Sequence, residues 1–200
     1  MSPAFLFDIG NVILSFDFSK AAERLSPKCR LSPEEGLREV APLVDPFERG
    51  EMTPEQFIAV ASNKMGYEGS AEEFRAAFED IFDLNERVVE LIESLDRRDH
   101  PLHLLSNTNR LHVPYFERTW PVFERFSGRI YSCDVGVMKP DPEIFRITID
   151  SLDLDPGSTI YIDDLPANCE AGAEAGLRAI PYARERHDDL LAELERMSLG

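Results

Sequence analysis

Five short apolar runs punctuate the chain, at residues 4–8, 102–106, 129–133, 159–163 and 177–181. The first, second and fourth are almost continuously apolar and end in a polar residue, which is how strands buried on both faces of a parallel sheet read. Between the runs the period changes to that of a helix. Residues 86–98 set Val88, Leu91, Ile92 and Leu95 on one face. Residues 141–152 open with Asp141 as N-cap and Pro142 at the first helical position, and turn Ile144, Phe145, Ile147 and Thr148 inward. Strands alternating with helices predict an open α/β sheet with right-handed crossovers.

From Phe18 to about Asp83 the pattern is different. No strand is predicted there, and three capping boxes appear, beginning at Ser32, Thr53 and Ser70 with Glu35, Gln56 and Glu73 as their partners three residues on. Each opens an amphipathic segment, so a small helical bundle is expected. The division is a core of residues 1–17 and 84–200 and a helical cap of residues 18–83. A bundle inserted just after the first strand would sit over the carboxyl ends of the strands, where open α/β sheets bind ligands. Residues 186–200 read as an amphipathic helix carrying Leu190, Leu191, Leu194 and Met197, either packed on the sheet or facing a second copy, so monomer and homodimer both stay open. The sequence shows no internal repeat and no low-complexity segment.

Charge alters this picture mainly by exclusion. A net charge of −17 over 200 residues repels phosphate backbones and anionic lipid heads, which disfavours nucleic-acid and membrane-surface partners. A phosphorylated small molecule would need local cations, a divalent metal or a few Lys and Arg side chains. No run approaches the roughly 18 apolar residues that cross a bilayer, and the first residues do not read as a signal peptide. Cys29, Cys133 and Cys169 are odd in number and widely spaced, which argues for reduced thiols in a cytoplasmic protein. The histidines His100, His103, His112 and His187 have no metal-ligand spacing, and His112, near the second run, reads as structural.

Chemistry collects where the strands end. Run one ends in Asp8, run two in Ser106 followed by Asn107, run three leads to Lys139, and run four ends in Asp163–Asp164 with Asn168 shortly after. Singly each has an ordinary reading as loop cap, turn residue or helix start. In a parallel sheet all four fall on one rim, and the set is coherent. Asp8 and Asp164 are hard oxygen ligands suited to Mg²⁺. Ser106 can donate to a phosphoryl oxygen, Lys139 can neutralise the charge spread over those oxygens, and Asp8 could attack phosphorus.

These stretches resemble the four motifs of the haloacid dehalogenase (HAD) superfamily of aspartate-nucleophile hydrolases. "FLFDIGNVI" is similar to the first, "LLSN" to the second, Lys139–Pro140 to the third and "YIDDLPANCEAGAEAGL" to the fourth. The resemblance covers essentially the whole chain and implies a Rossmann-like parallel sheet with an inserted α-helical cap. "FDIGNVI", "SNTNRLH", "FERGE" and "DVGVMKP" further resemble a bacterial branch that includes an α-D-glucose-1-phosphate phosphatase, and more distantly the N-terminal phosphatase domain of soluble epoxide hydrolase. The resemblance implies Mg²⁺ as cofactor. It makes Asp8 the nucleophile and a metal ligand, with the Gly10 backbone carbonyl also on the metal. Ser106 and Asn107 would bind the phosphoryl group and Lys139 would stabilise its charge. Asp164 would bind metal, Asp163 would take a second position there, and Asn168 would support them.

The chain departs from the family at Gly10, where its phosphatases carry a second Asp as general acid and base, a role worth about 10² to 10⁴ in rate. Three readings follow. The favoured one is a phosphatase of a small phosphorylated metabolite, a sugar phosphate such as glucose 1-phosphate, whose anomeric oxygen leaves more readily than a simple alkoxide. Glu48, Arg49 and Glu51 are then candidates for contacting the sugar or supplying the proton, with Arg49 as substrate ligand. The second is carbon–halogen hydrolysis, although position 10 is not aromatic and no Arg stands near the first motif. The third is a catalytically inactive binding protein, although Asp8, Lys139, Asp163 and Asp164 are all retained.

Overall fold

The computed structural model describes residues 2–198. Five strands form one parallel sheet: β1 (Phe5–Phe7), β4 (Leu102–Ser106), β5 (Gly128–Tyr131), β6 (Ile160–Asp163) and β7 (Arg178–Pro181), in the order β5-β4-β1-β6-β7. β1 pairs with β4 on one side and β6 on the other, Phe7 opposite Leu104 and Ile162. Chain order therefore runs outward from β1 first one way and then the other, which makes the carboxyl end of β1 a topological switch point.

Although β1 reads as a continuous apolar run, its residues alternate between two cores. Phe5 and Phe7 join Val88, Ile92 and Leu95 of α6 (Glu86–Asp96) and Leu190 and Leu194 of α11 (His187–Ser198). Leu6 joins Leu105, Tyr161 and the α9 (Pro142–Leu152) residues Ile144 and Phe145 on the opposite face. Asp141 caps α9 by accepting from the Glu143 amide, as its position predicts. The C-terminal helix thus packs on the sheet, with Leu191 left on its exposed side.

Helices α1 (Phe18–Leu25), α2 (Pro33–Val40), α3 (Val44–Glu48), α4 (Pro54–Met65) and α5 (Ala71–Glu79) form a bundle with a core of its own around Phe47, Phe57, Phe74 and Phe78. All three capping boxes are formed, at Ser32, Thr53 and Ser70. One expectation fails: residues 82–84 are a strand. β3 (Phe82–Leu84) pairs antiparallel with β2 (Leu14–Phe16), making a two-stranded flap at the root of the bundle. The third run also ends early. Ser132 and Cys133 belong to a helical turn, α8 (Ser132–Val135), because Gly136 in the left-handed region closes a turn there. No helix among the described residues is long and apolar enough to cross a membrane.

Candidate active site

Three strand ends, the loop before α9 and the bundle enclose a cavity of about 370 Å³ at the switch point. Asp8, Gly10 and Asn11 line it from the loop after β1, Ser106, Asn107 and Thr108 from the end of β4, Lys139 from the loop before α9, and Asp164 and Asn168 from the end of β6. The bundle and flap contribute Phe16, Phe18, Val44, Glu48, Ile81 and Phe82.

Lys139 is the electrostatic hub. Its side chain is buried, and its three ammonium hydrogens go to Asp8 Oδ1 at 2.8 Å, Asp163 Oδ2 at 2.6 Å and the Leu105 carbonyl at 2.9 Å. Burial alone would lower its pKa, but Asp8 and Asp163 more than offset that and hold it above the ordinary lysine value. Asn107 fixes the backbone of the same residue, donating from Nδ2 to the Lys139 carbonyl at 2.9 Å and accepting from the Lys139 amide at 2.8 Å.

The carboxylates differ sharply in their surroundings. Asp8 accepts at Oδ1 from the Ile9 amide and from Lys139, and its Oδ2 has no partner among the described residues. Burial is the main force on it; Lys139 opposes and Asp163 reinforces that force, and the pKa is pushed up to about 6. Asp163 lies fully buried behind the cavity. Its oxygens accept from Lys139, the Tyr161 hydroxyl, Asn168 Nδ2 and the Leu165 amide. Burial would raise its pKa, but Lys139 and those donors hold it below the usual carboxylate value. Asp164 points to the rim, where Oδ2 accepts from Asn11 Nδ2 at 3.0 Å, and burial raises its pKa. One oxygen from each of Asp8, Asp163 and Asp164 lies within 4.8 Å of the others.

Asp8, Gly10, Ser106, Asn107, Lys139, Asp164 and Asn168, expected at the site, all line the cavity, while Asp163 lies buried behind it. Arg49 does not line the cavity; its neighbour Glu48 does, and Glu51 does not. Ser106 is buried at the cavity wall, its hydroxyl held only loosely by the Asn107 carbonyl at 3.4 Å. His112 lines the cavity but is structural: Nδ1 takes the Asn109 amide and Nε2 reaches the Phe78 carbonyl at 3.0 Å, and burial lowers its pKa to about 4. Its neutral ring ties the loop after β4 to the bundle.

Two residues with site roles escape the motif reading. Asn11 adopts φ 53°, a left-handed conformation that Asn tolerates, and so aims its carboxamide at Asp164. Phe16 occupies the space beside Gly10: a Cβ there would lie 3.2 Å from Phe16 Cε1. An aromatic ring stands where a second carboxylate would otherwise project. The alternation of Leu14, Ser15 and Phe16 is the one local signal for it.

A strand-end aspartate at the switch point of a parallel sheet, braced by a buried lysine beneath a helical bundle, puts the chain in the class of aspartate-centred α/β hydrolases. The haloacid dehalogenase-like hydrolase model matches residues 3–176, and the chain belongs to that family. It is 27% identical over 180 residues to the D-ribitol-5-phosphate phosphatase of Bacteroides thetaiotaomicron, covering 86% of this chain and 87% of that one. A shorter match, 33% over 91 residues, is to mouse acyl-CoA dehydrogenase family member 10, of which it spans only 8%. Among solved structures it resembles a HAD-family enzyme of Bacteroides thetaiotaomicron in complex with magnesium and inorganic phosphate, at 25% identity and a TM-score of 0.80, covering 92% of this chain and 96% of that one.

Proposed function

We propose that this chain is a magnesium-dependent phosphatase that hydrolyses a small phosphorylated metabolite through an aspartyl-phosphate on Asp8, with the bundle of residues 18–83 acting as its cap. The observation that carries the proposal is the convergence of Asp8, Lys139, Ser106 and Asp164 on one cavity at the switch point.

The donor set fits a hard divalent cation. Asp8 keeps one oxygen without a partner among the described residues, Asp164 is held by Asn11 and its own backbone amide at the rim, burial disfavours the charge on both, and a cation would relieve it. The Gly10 carbonyl is the neighbouring backbone donor. When bound, the ion neutralises charge on the phosphoryl oxygens. Asp163, expected as a second ligand, has both oxygens committed to donors, so in this proposal it holds Lys139 in place instead.

Lys139 keeps Asp8 oriented and offsets phosphoryl charge, while the loosely held Ser106 hydroxyl donates to a phosphoryl oxygen. The Asn107 carboxamide is spent on Lys139, so its contribution to the phosphoryl group is its backbone amide. Beyond the phosphate machinery the wall is apolar, with Phe16, Phe18, Val44 and Phe82. Such a wall can pack against the apolar face of a leaving group. A sugar ring seated by its C–H face meets that description, and glucose 1-phosphate remains the favoured example; the relative named for D-ribitol 5-phosphate supports a neighbouring chemistry. Arg49 stays outside this contact set. Carbon–halogen hydrolysis is less well served, because Lys139, the one cationic side chain among the described residues lining the cavity, is already held by two carboxylates.

A panel of sugar, polyol and aryl phosphates assayed for phosphate release with and without Mg²⁺ tests the proposal. Release should need Mg²⁺ and vanish in Asp8→Asn with the fold intact. Chloride release from a 2-haloacid without Mg²⁺ would support the dehalogenase reading instead.

A further inference from the structure

We infer that Glu48, on the cap helix α3, is the general acid and base that stands in for the carboxyl missing at position 10. The inference rests on the phosphatase reading above and adds to it the group that moves the proton.

The first support is elimination within the cavity. Gly10 offers no side chain, and the adjacent space is filled by the Phe16 ring. His112 is neutral and already gives its ring N–H to the Phe78 carbonyl. Lys139 has all three ammonium hydrogens engaged, and Asp8 and Asp164 face the metal position. Glu48 is the remaining carboxyl on the wall.

The second support is its setting. Glu48 makes no hydrogen bond or ion pair among the described residues, although it lies within electrostatic reach of Asp8. A carboxylate left unpaired beside another carboxylate holds a proton more firmly. Burial acts first, then Asp45 on the same helix and Asp8 across the cavity, with Lys139 opposing, and the carboxyl is pushed up to about 7. Across the cap–core contact Asp134 and Arg110 are paired with each other, and the neighbouring Cys133 thiol is pushed up to about 11, chiefly by burial, and so stays neutral.

The third support is how the helix is anchored. Gly50, two residues on, has φ +71° and packs so closely that a Cβ would lie 2.2 Å from the Cys133 carbonyl oxygen. This backbone contact fixes the end of α3 against the core, so Glu48 is presented to the cavity from a defined point.

The proton inventory closes. As Asp8 forms its bond to phosphorus, the bond from phosphorus to the leaving oxygen breaks and its electron pair stays on that oxygen. Glu48 donates its proton there and becomes a carboxylate. Water then attacks the aspartyl-phosphate, Glu48 takes the proton from that water, Asp8 departs as carboxylate, and phosphate is released with Glu48 again protonated.

The test compares Glu48→Gln with the wild-type chain in Mg²⁺, on glucose 1-phosphate or another alkyl phosphate that the wild type turns over, and on 2,4-dinitrophenyl phosphate, whose leaving group needs no proton. The expected result is a loss in kcat/KM, which reports the step that forms the aspartyl-phosphate, of about 10² to 10⁴ on the alkyl ester and a far smaller loss in kcat/KM on the aryl ester, while kcat falls on both because hydrolysis of the shared intermediate loses its base. The basic limb of the kcat/KM profile, set by loss of the Glu48 proton, should disappear. Thermal melting checks that the variant is folded, and Glu48→Asp should recover part of the alkyl activity. Equal losses in kcat/KM on both esters, or none on the alkyl ester, would overturn the assignment of Glu48 while leaving the Asp8 reading in place. A wild type that releases no phosphate from either ester, or an Asp8→Asn variant that still does, would overturn both.

Discussion

Replacing Lys139 with Met tests the electrostatic frame directly, because the structure says what would be orphaned. Methionine is similarly long and unbranched, so it fills most of the space and the cavity contribution stays small. What it cannot do is satisfy Asp8 Oδ1 at 2.8 Å, Asp163 Oδ2 at 2.6 Å and the Leu105 carbonyl at 2.9 Å. Removing one partner of a buried ion pair costs about 3–5 kcal/mol, since the other charge is left without compensation. Urea unfolding of metal-free protein at pH 7.5 should show a loss in that range. The loss should depend on pH with a definite sign. In the wild type Asp163 has its folded pKa below 3.8, so its stabilising contribution is complete above that value and fades only beneath it. In the variant, Asp163 loses its cation and its folded pKa rises, so lowering the pH toward 5 protonates it and restores stability. The gap between the proteins should therefore narrow from pH 7.5 to pH 5. A loss under about 1 kcal/mol, or a gap that stays constant with pH, would refute the account of Lys139 as the charge that holds this site together.

Three further outcomes follow from the same geometry. Metal-free wild type should become more stable as pH falls from 7.5 to 5, because Asp8 has a folded pKa of about 6 against 3.8 unfolded and binds its proton more tightly when folded; Mg²⁺ should flatten that slope in thermal melts, and an unchanged slope would count against Asp8 as a ligand. Gly10→Asp should be hindered by the Phe16 ring, 3.2 Å from the new Cβ, so kcat on poor leaving groups should rise more in Gly10→Asp/Phe16→Ala than in Gly10→Asp alone. Gly50→Ala should lose stability by about 1–2 kcal/mol or more, because alanine must adopt φ +71° and meets the Cys133 carbonyl; kcat should fall with it, as Glu48 shifts.

The readable parts of this protein were those written locally. A strand end, a capping box and an N-cap each depend on a few consecutive residues, so Asp8, Ser106, Asp141 and the three boxes at Ser32, Thr53 and Ser70 could be placed from the chain alone. The flap could not, because Leu14 pairs with Leu84 across the entire bundle and three-residue strands carry almost no periodicity. Glu48 and Arg49 could not be told apart either. α3 is five residues long, and one residue of rotation about a helix decides which side chain meets the cavity. Asp163 and Asp164 present the same difficulty in a strand. Neighbours point to opposite faces, so one had to be buried against Lys139 and the other on the rim, but which was which followed only from the position of Tyr161 and Asn168.

The measurement closest to the central claim is a rapid-quench experiment with Mg²⁺ and a substrate found in the phosphate panel, followed by borohydride treatment and peptide mass spectrometry. An acyl-phosphate on an aspartate is reduced to homoserine, so the account predicts homoserine at position 8, formed only with Mg²⁺ and substrate together. Phosphate released with Asp8 unmodified, or the adduct on a different residue, would contradict it.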